Sequence, residues 1–547
     1  MRIFIAFLLG PALLSLWPAS GEAAQLPTLP QAFIDTTYSP PSGNTIVVNA
    51  GGNLQTAINN AVPGDTIVLQ AGATFTGPFT LPNKVGSSWI YIRSSAYGIL
   101  PPPGTRVSIA DAANMPKIVG TTAGGNAILT NAQAHNYRFV GIEIGPAAGQ
   151  FLFNLVAIGS GETSLASLPH DITFDRCYIH GDPSAGGRRG IAMNGASVAV
   201  VDSYVSDFKE VGADTQALWS YNSPGPLKIV NNYLEAAGEN ILFGGKHPDI
   251  TNLVPSDIEI RSNHFFKPLS WVPLSWSVKN LLEFKEGQRV LIEGNVFENV
   301  WLAAQVGWAL LITPRSDDGL GPWETVQDIT IRLNKFINVG QGIDIAGTDN
   351  VFLSGVVERV LIENNLILIQ NINNEDHRLV QFTNPSTFAA AGPNNVTVRH
   401  NTGLILSTGG GALGASAFSE MLGAKADQFD FRDNLLSNGG FGFTGSGTGS
   451  ANATLAAFFT NYTFTKNAII GGGPSGSYPP TNFFPSNNAA VGFVNFAGGD
   501  YTLTSGSPFR NAATDGKDVG ADIAAIAAAT SGAASPKLPA PKNLRVQ

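Results

Sequence analysis

Acidic and basic side chains alternate with apolar residues in the middle of the chain. Glu283 and Lys285 lie two residues apart in NLLEFK, and Arg315 follows the next apolar run in ALLITPRS. Because side chains two apart in a strand point to the same side, Glu283 and Lys285 are expected to share one face. β-Elimination from a uronic acid polymer needs such a set, since a cation neutralises the sugar carboxylate and a base then removes the acidified C5 proton.

More polar residues should stand on this face, because neighbouring strands repeat the alternation. ENILF, LLEFK and GIDI carry apolar residues at the positions expected to face inward. A period of two then sends four side chains outward into one column, Asn240, Glu283, Lys285 and Asp344. Three further residues fall beside this column, Glu239, Lys246 and His247. The candidates for binding substrate here are Lys246, His247 and Asp344.

These residues also have simpler interpretations. Glu283 and Lys285 could form a solvated ion pair, worth under about 1 kcal/mol. Asp317 and Asp318 precede a glycine and are typical of a turn. Hydrolysis is an alternative chemistry, because an inverting enzyme needs two carboxyl groups roughly 6.5–9.5 Å apart and neighbouring strands could supply them. The candidates for that reaction are Asp317, Asp318 and Asp344.

Aromatic residues support a non-catalytic alternative. The segment FFKPLSWVPLSWSV carries Trp271 and Trp276. Sugars stack on exposed aromatic faces, so these residues could bind glycan on an adhesin-like or structural surface protein. The prolines and leucines between them favour a competing interpretation, in which the segment is a long loop packed against the body of the protein.

A repeated unit supplies the scaffold for these side chains. RVLIEGNVFENV recurs in degenerate form, with alternating apolar residues, a short turn and an asparagine. The asparagines are 31 to 39 residues apart, at Asn232, Asn263, Asn295, Asn334, Asn365, Asn401, Asn434 and Asn467. Such a period indicates a solenoid or a propeller. Stacked asparagines can bond to one another along the axis of a solenoid, so we expect them to be structural.

Composition limits the class of partner. The 547 residues are 44% hydrophobic and 13% charged, with a net charge of −9. That charge argues against a nucleic acid partner, as does the lack of a basic stripe interleaved with aromatic residues. We expect a monomer that has a polysaccharide as its partner.

The N-terminus has the form of a secretory signal. Arg2 precedes an apolar run over 3–17, and small residues follow near 21–24. The run is short for a membrane span, so we expect cleavage and a secreted protein with no membrane span, either extracellular, periplasmic or at the cell surface. The single cysteine, Cys177, falls in the asparagine slot and is expected to be a small buried residue.

The segment after the Pro-rich leader identifies the kind of solenoid. NTIVVN and TIVLQAG are expected strands, separated by an amphipathic helix over 54–61 and a Pro-Gly-Asp turn. This order resembles the opening of the pectate-lyase-like superfamily of right-handed β-helix proteins. The resemblance implies an all-β fold, a single-stranded right-handed parallel β-helix with a short N-terminal capping helix. The expected organisation is a signal peptide at 1–24, a leader at 25–43, the β-helix at 44–522 and an Ala/Pro-rich tail at 523–547, whose end resembles the first strand of a fibronectin type III module.

A second, local resemblance concerns activity. LLEFKEGQRVLIEGNVF followed by ALLITPRS resembles the active-site coils of the chondroitinase B and alginate lyase family. The resemblance implies a polysaccharide lyase in which Lys285 is the base and Arg315 the acid or the carboxylate clamp. It also implies calcium as a cofactor, held by Glu283 with Glu239 or Asn240. The sequence departs from the family where Glu286 follows the lysine and Ser316 follows the arginine.

Overall fold

The computed structural model describes residues 24–384, 392–407, 412–415, 425–473 and 475–533. The signal peptide expected over 1–24 lies outside these ranges except for its last residue. The NLRV segment near the C-terminus, expected to begin a further module, also lies outside them.

The chain winds into a right-handed parallel β-helix with three long sheets, named A, B and C in the order in which each coil visits them. Sheet A contains Thr45–Val48, Thr66–Leu69, Ile90–Ser94, His135–Val140, His170–Asp175, Ala196–Val201, Leu227–Val230, Ser256–Arg261, Gly287–Glu293, Val326–Arg332, Glu358–Glu363, Asn394–Arg399, Ala426–Arg432 and Phe459–Thr465. Sheet B contains Thr74–Thr76, Lys117–Gly120, Glu143–Pro146, Tyr178–His180, Tyr204–Phe208, Tyr233–Ala236, His264–Phe266, Val296–Val300, Lys335–Val339, Leu366–Ile369, Thr402–Ile405, Leu435–Ser437 and Ala468–Ile470. Sheet C contains Phe79–Leu81, Ile128–Thr130, Asn154–Ile158, Arg189–Met193, Gln216–Ser220, Glu239–Phe243, Leu282–Phe284, Trp308–Ile312, Gln341–Ala346, Val380–Thr383, Ala412–Ala415 and Gly442–Thr444.

Inward side chains of successive coils stack into one continuous apolar core. Phe265, Phe297 and Phe336 form one column, with ring centroids 4.5 and 4.6 Å apart. This separation is close to the spacing of hydrogen-bonded strands, so each ring repeats the position of the ring one coil earlier. The inward alternation expected for the central strands is confirmed, since Phe243, Phe284 and the residues equivalent to them are fully buried in this core.

The predicted asparagine ladder is confirmed. The Oδ1 of Asn334 accepts hydrogen bonds from both the backbone N–H and the Nδ2 of Asn295, at 2.9 and 3.0 Å. The Nδ2 of Asn334 in turn donates to the Ile292 carbonyl and to Asn365. The same pattern runs from Asn232 to Asn467 and ends on Asn482. Every buried amide of the ladder is thereby satisfied between coils.

Short helices occur at the ends of the coils and between strands. The predicted capping helix is confirmed as Leu54–Asn60, and the side chain of Asn53 caps it by accepting from the Thr56 N–H. Leu54 and Ile58 bury its apolar face against the first coil. The other helices are Asn452–Phe458, Asn488–Val491 and Ile523–Ala529, with 3₁₀ turns at Tyr97–Ile99, Ile109–Asn114, Leu165–Ser167, Leu269–Trp271 and Ser475–Ser477. In the described ranges no helix has both the length and the apolar character needed to cross a membrane.

The last strand of sheet B ends at Ile470, and a parallel bridge from Ala468 to Phe483 extends the coils beyond it. The following chain folds back along the outside of sheet B, where it forms an antiparallel hairpin, Phe493–Asn495 with Asp500–Leu503. Its apolar residues Tyr501, Phe509 and Ile526 cover outward leucines of sheet B. This part of the chain closes a face of the solenoid because those leucines would otherwise be exposed.

The leader forms a strap along sheet A, antiparallel to the direction in which the coils advance. The backbone N–H groups of Gln25, Thr28 and Gln31 donate in turn to the side chains of Asn395, Asp328 and Asp257. Further along, the Ile34 carbonyl accepts from Lys228, and the Thr36 and Thr37 carbonyls accept from Arg138. The ring of Tyr38 ends the strap by stacking on Tyr97, at 4.9 Å between centroids. The strap thus ties together coils that are distant in sequence.

Candidate active site

The outer face of sheet C carries the predicted column. Glu283 pairs in register with Leu311, Leu311 with Asp344, and Asp344 with Gln381. Glu283 and Asp344 therefore lie in one outward column, two strand spacings apart, which is about 9–10 Å between their backbones. Lys285 follows Phe284, the last residue of its strand, and so stands one outward position beyond Glu283. The outward positions predicted for Glu283, Lys285 and Asp344 are confirmed.

A cavity of about 240 Å³ opens on this face. Its walls come from three successive coils of sheet C and from the loop that precedes Trp308–Ile312. The lining residues are Gln305, Val306, Trp308, Leu311, Thr313, Arg315, Asp344, Ala346 and Thr383. Two of the predicted residues, Arg315 and Asp344, are brought together here.

Arg315 is held at the carboxyl end of its strand. Its backbone N–H donates to the Lys285 carbonyl at 3.2 Å, which fixes the two residues on adjacent coils. Its Nη2 donates to the Asn350 side chain, and its Nε lies 3.8 Å from Oδ1 of the buried Asp349. The guanidinium keeps about a third of its surface exposed. It can therefore bind an anion in the cavity while it is positioned by the next coil.

Lys285 is not among the residues that line the cavity, although its carbonyl accepts from the N–H of the lining residue Arg315. Its ammonium lies 3.1 Å from Oδ1 of Asp317. Burial alone would lower its pKa, but the charges of Glu283 and Asp317 outweigh burial and raise the pKa above its ordinary value. The side chain is therefore an ammonium at neutral pH, a form that donates protons.

Asp344 faces the cavity with a carboxyl group that titrates near neutrality. Burial raises its pKa to about 7, against the opposing effect of a hydrogen bond from Gln381. Gln381 is oriented by Arg378, which donates to its side-chain oxygen. The Oδ1 of Asp344 is buried and has no hydrogen-bond partner within the described ranges. Such a carboxyl can exchange a proton at neutral pH.

Of the predicted calcium ligands, the two glutamates lie near each other but Asn240 does not join them. Glu239 and Glu283 face the same side, and burial together with the charge of Glu283 raises the pKa of Glu239 to about 7. Oε2 of Glu239 accepts from Gln216 and Oε2 of Glu283 accepts from Asn280, both at 2.8 Å. These carboxylates already have amide partners.

The outward position predicted for Asn240 is wrong. Its Nδ2 donates to the Leu234 and Phe266 carbonyls, and its Oδ1 accepts from the ammonium of Lys267. The alternation fails because the strand begins with a bulge, where the N–H groups of Asn240 and Ile241 both approach the Leu281 carbonyl. Asn240 therefore fills the corner between sheets B and C and cannot join the two glutamates. Over the described ranges no three acidic, histidine or cysteine side chains are placed to hold a metal ion.

Lys246 and His247 lie on the neighbouring loop and not in the cavity lining. Nδ1 of His247 lies 2.6 Å from Oδ2 of Asp318, which joins this loop to the loop after Arg315. Nζ of Lys246 lies 2.8 Å from Oδ1 of Asp249 and covers the ring of Tyr221. The predicted role of Lys246 and His247 in binding substrate therefore stays a prediction, because both side chains already have partners outside the cavity.

The prediction that Trp271 is an exposed residue that binds glycan is wrong. Its side chain is only 6% exposed and packs with Val278 and Trp301 in a separate apolar cluster. Trp276 is half-buried against the same cluster, near the ammonium of Lys209. The competing interpretation, a loop packed on the side of the solenoid, describes this segment.

Leu311 forms the apolar part of the cavity together with Trp308, and the sequence did not single Leu311 out. As an apolar residue of ALLIT it matches an ordinary buried strand position. The register contained a usable signal, since Leu311 occupies in ALLIT the outward slot that Glu283 occupies in LLEFK.

Comparison with known proteins shows similarity in fold alone. No family model and no curated protein matches the sequence. Similar solved structures include an alginate lyase from Paenibacillus sp. str. FPU-7, with 14% identity, 77% of this chain and 99% of that chain covered, and a TM-score of 0.31. A mannuronic acid specific polysaccharide family 6 lyase from human gut microbiota has 13% identity, coverages of 81% and 83%, and a TM-score of 0.42. The catalytic unit of an alpha-1,3-glucanase from Streptomyces thermodiastaticus strain HF3-3 has 12% identity, coverages of 83% and 69%, and a TM-score of 0.42.

Proposed function

We propose that the protein is a secreted polysaccharide lyase that cleaves an acidic polysaccharide by β-elimination in the cavity on sheet C. The observation that carries the proposal is the pairing, in one open cavity, of a guanidinium and a carboxyl that titrates near pH 7. A uronate needs both, a cation for its carboxylate and a group that accepts the proton next to it.

Arg315 is the carboxylate clamp in this mechanism. Its planar guanidinium can bind both oxygens of a sugar carboxylate and withdraw charge from it as the C5 proton leaves. The resulting carbanion-like transition state carries more negative charge on the carboxylate than the ground state does. The interaction therefore strengthens during the reaction and lowers the barrier.

The proton transfers are assigned from the protonation states in the site. The local family resemblance implies Lys285 as the base, but its raised pKa favours the ammonium form. We therefore assign Asp344 as the base that takes the C5 proton and Lys285 as the acid that protonates the leaving O4. The C4–O4 bond breaks as the C4–C5 double bond forms. No step in this assignment uses a metal ion, since Asn240 bonds to Lys267 and does not join the two glutamates predicted as calcium ligands.

Activity on a panel of uronate polymers tests the proposal. Alginate, pectate and glycosaminoglycans are each incubated with the protein, with added calcium and with a chelator, while the absorbance of the unsaturated product is followed. We expect absorbance to rise on at least one polymer and to persist with the chelator. Asp344→Asn should lose nearly all activity, and Arg315→Lys should raise KM roughly tenfold or more, because an ammonium cannot bind both oxygens. Silence on the whole panel would refute the lyase.

The pH dependence of kcat/KM separates the two assignments of the base. With Asp344 as base, activity requires its ionised form, so the acidic limb should have an apparent pKa near 7. With Lys285 as base, activity would require the neutral amine and would rise only above the ordinary lysine range, because the pKa of Lys285 is raised. An acidic limb above pH 10 would overturn our assignment.

Hydrolysis is the second candidate, and one observation favours it. Glu283 and Asp344 share a column two strand spacings apart, close to the carboxyl separation of roughly 6.5–9.5 Å in inverting hydrolases. Reducing-sugar release without the absorbance of an unsaturated product would select this reaction. Glu283→Gln should then abolish activity, whereas the lyase mechanism gives Glu283 no proton to transfer.

Export belongs to the same proposal. Cleavage near 21–24 would leave the strap complete, since its first contact is made by Gln25. Expression of the full chain with N-terminal sequencing of the protein outside the cytoplasm checks this. A mature protein that retains Arg2 would contradict it.

A further inference from the structure

The cavity is polarised along the strand direction. Val306 and Trp308 line the side where the strand Trp308–Ile312 begins, and Thr313 and Arg315 line the side beyond its end, with Leu311 between Trp308 and Thr313. Asp344 stands beside Leu311, at the border between the two halves. One half is therefore apolar and the other is cationic, with the titrating carboxyl between them.

The apolar half is an unusual feature of an outer sheet surface. Leu311 points outward between Glu283 and Asp344 in the same column, and it is only half-buried. Val306, on the facing loop, keeps 41% of its surface exposed. An outward apolar pair next to a charged group is typical of a ligand site, in which apolar contacts provide affinity and a few polar groups fix orientation.

The shape of a hexuronate matches this polarity. In the pyranose ring C2 lies opposite C5, so the O2 and O3 substituents project from the edge opposite the C5 carboxylate. A sugar whose carboxylate lies on Arg315 would therefore direct O2 and O3 towards Leu311, Trp308 and Val306. Gln305 is the polar lining side chain on this side, and its Oε1 already accepts from Asn280. Free hydroxyl groups buried against Leu311 and Val306 would lose their bonds to water, at a cost of about 1–3 kcal/mol each. An ester carries no such donor and adds a methyl group that apolar side chains can bury.

We propose that the cavity selects a uronate residue that is O-acylated, in the simplest case O-acetylated, at O2 or O3. The carboxylate lies on Arg315, and the acyl group lies on Leu311, Trp308 and Val306. The volume of about 240 Å³ is below the roughly 300–1,000 Å³ of sites that enclose a whole drug-sized ligand, which agrees with one substituted sugar residue. This inference rests on the proposed function, because it names the substrate class of the same site.

The test compares one uronate polymer in two forms. The polymer cleaved in the panel is partly O-acetylated with acetic anhydride, and half of the sample is then de-esterified with mild alkali. We expect kcat/KM to be roughly tenfold higher on the acetylated form, the size of discrimination that one small apolar group provides. Equal values, or a preference for the de-esterified form, would overturn the inference while leaving the lyase intact.

Substitutions in the apolar half of the cavity test which residues bind the acyl group. Leu311→Asn should lower kcat/KM on the acetylated polymer more than on the de-esterified one, so that the ratio of the two falls towards one. Val306→Asn provides the same readout from an exposed loop position where misfolding is not expected. The matched control is Leu320→Asn, because Leu320 is 62% exposed and lies outside the cavity lining. An unchanged ratio in both cavity variants would refute the assignment.

Binding keeps the inference testable if no polymer is cleaved. Titration calorimetry with acetylated and de-esterified alginate and pectate oligosaccharides measures the same preference without turnover. Tighter binding of the acetylated oligosaccharides, reduced by Val306→Asn, would support the acyl site even if the lyase fails. Equal affinities would refute the acyl site.

Discussion

Single residues in the cavity have their chemistry set by neighbours from other coils. Burial raises the pKa of the Asp344 carboxyl, and the charges of Glu283 and Asp317 raise the pKa of Lys285. The two groups therefore reach opposite protonation states at slightly alkaline pH, which is the arrangement that a concerted transfer of two protons needs.

Asp317→Asn should shift the alkaline limb of activity. The alkaline limb reports loss of the Lys285 proton if Lys285 is the acid, and Asp317 stabilises that proton. Removing the negative charge lowers the pKa of Lys285, so the limb should move to lower pH. The pH profile of kcat/KM measures this. Asp318→Asn is the control, because Asp318 pairs with His247, and a limb shifted equally by both variants would contradict the role of Lys285.

The sequence predicted part of this site and missed the rest for physical reasons. Strand alternation placed Glu283, Lys285 and Asp344 correctly because side chains in a regular strand alternate without exception. Asn240 was misplaced because a bulge at the start of its strand interrupts the alternation. Leu311 was missed because an apolar residue carries no sign of facing outward until the register of its neighbours is known.

Among the elements, the asparagine ladder connects the turns between sheets A and B through most of the solenoid. Each asparagine accepts from the residue one coil earlier and donates onward, so its amide bonds are shared between coils. The ladder was predictable because its spacing repeats. Its continuation to Asn482 was not, since Asn482 follows Asn467 by 15 residues and not by a full coil.

Asn334→Ala should destabilise the fold strongly. The substitution leaves the N–H and Nδ2 of Asn295 without their acceptor in a fully buried position, which costs about 2–4 kcal/mol. The free energy of unfolding in urea measures the effect. Asn482→Ala, at the partly buried end of the ladder, should cost about 1 kcal/mol or less. Equal losses at the two sites would contradict a ladder whose strength depends on burial.

Across the whole molecule, several buried carboxyl groups favour the protonated form. Burial raises the pKa of Glu235, Glu239 and Asp344 to about 7 and that of Glu324 to about 9. Each folded-state pKa lies above the unfolded value, so the folded protein holds more protons than the unfolded chain between about pH 4 and 7, and up to about pH 9 at Glu324. Their contribution to stability is greatest below the unfolded pKa values and is lost as the pH rises through the folded ones.

The protein should therefore be more stable at pH 5.5 than at pH 8. Urea unfolding at the two pH values, with the midpoint and slope compared, provides the measurement. The difference should shrink in Glu235→Gln, which cannot take up or release a proton at this position. A midpoint that is higher at pH 8 would show that these carboxyl groups are ionised in the folded state.

The contacts of the strap repeat in step with the strands of sheet A. Its contacts fall every third residue, at Gln25, Thr28 and Gln31, and they reach every second strand of sheet A. Three residues of a polyproline II segment rise about 9 Å, nearly the distance covered by two strand spacings, and the intervening prolines favour that conformation. Three residues of the strap therefore span nearly the same distance as two coils. Deleting residues 28–30 should bring Gln25 opposite Asp328, the partner that Thr28 has now. Deleting Leu29 alone should put Gln25 and Thr28 out of phase with their partners, and amide hydrogen exchange of the segment would distinguish the two variants.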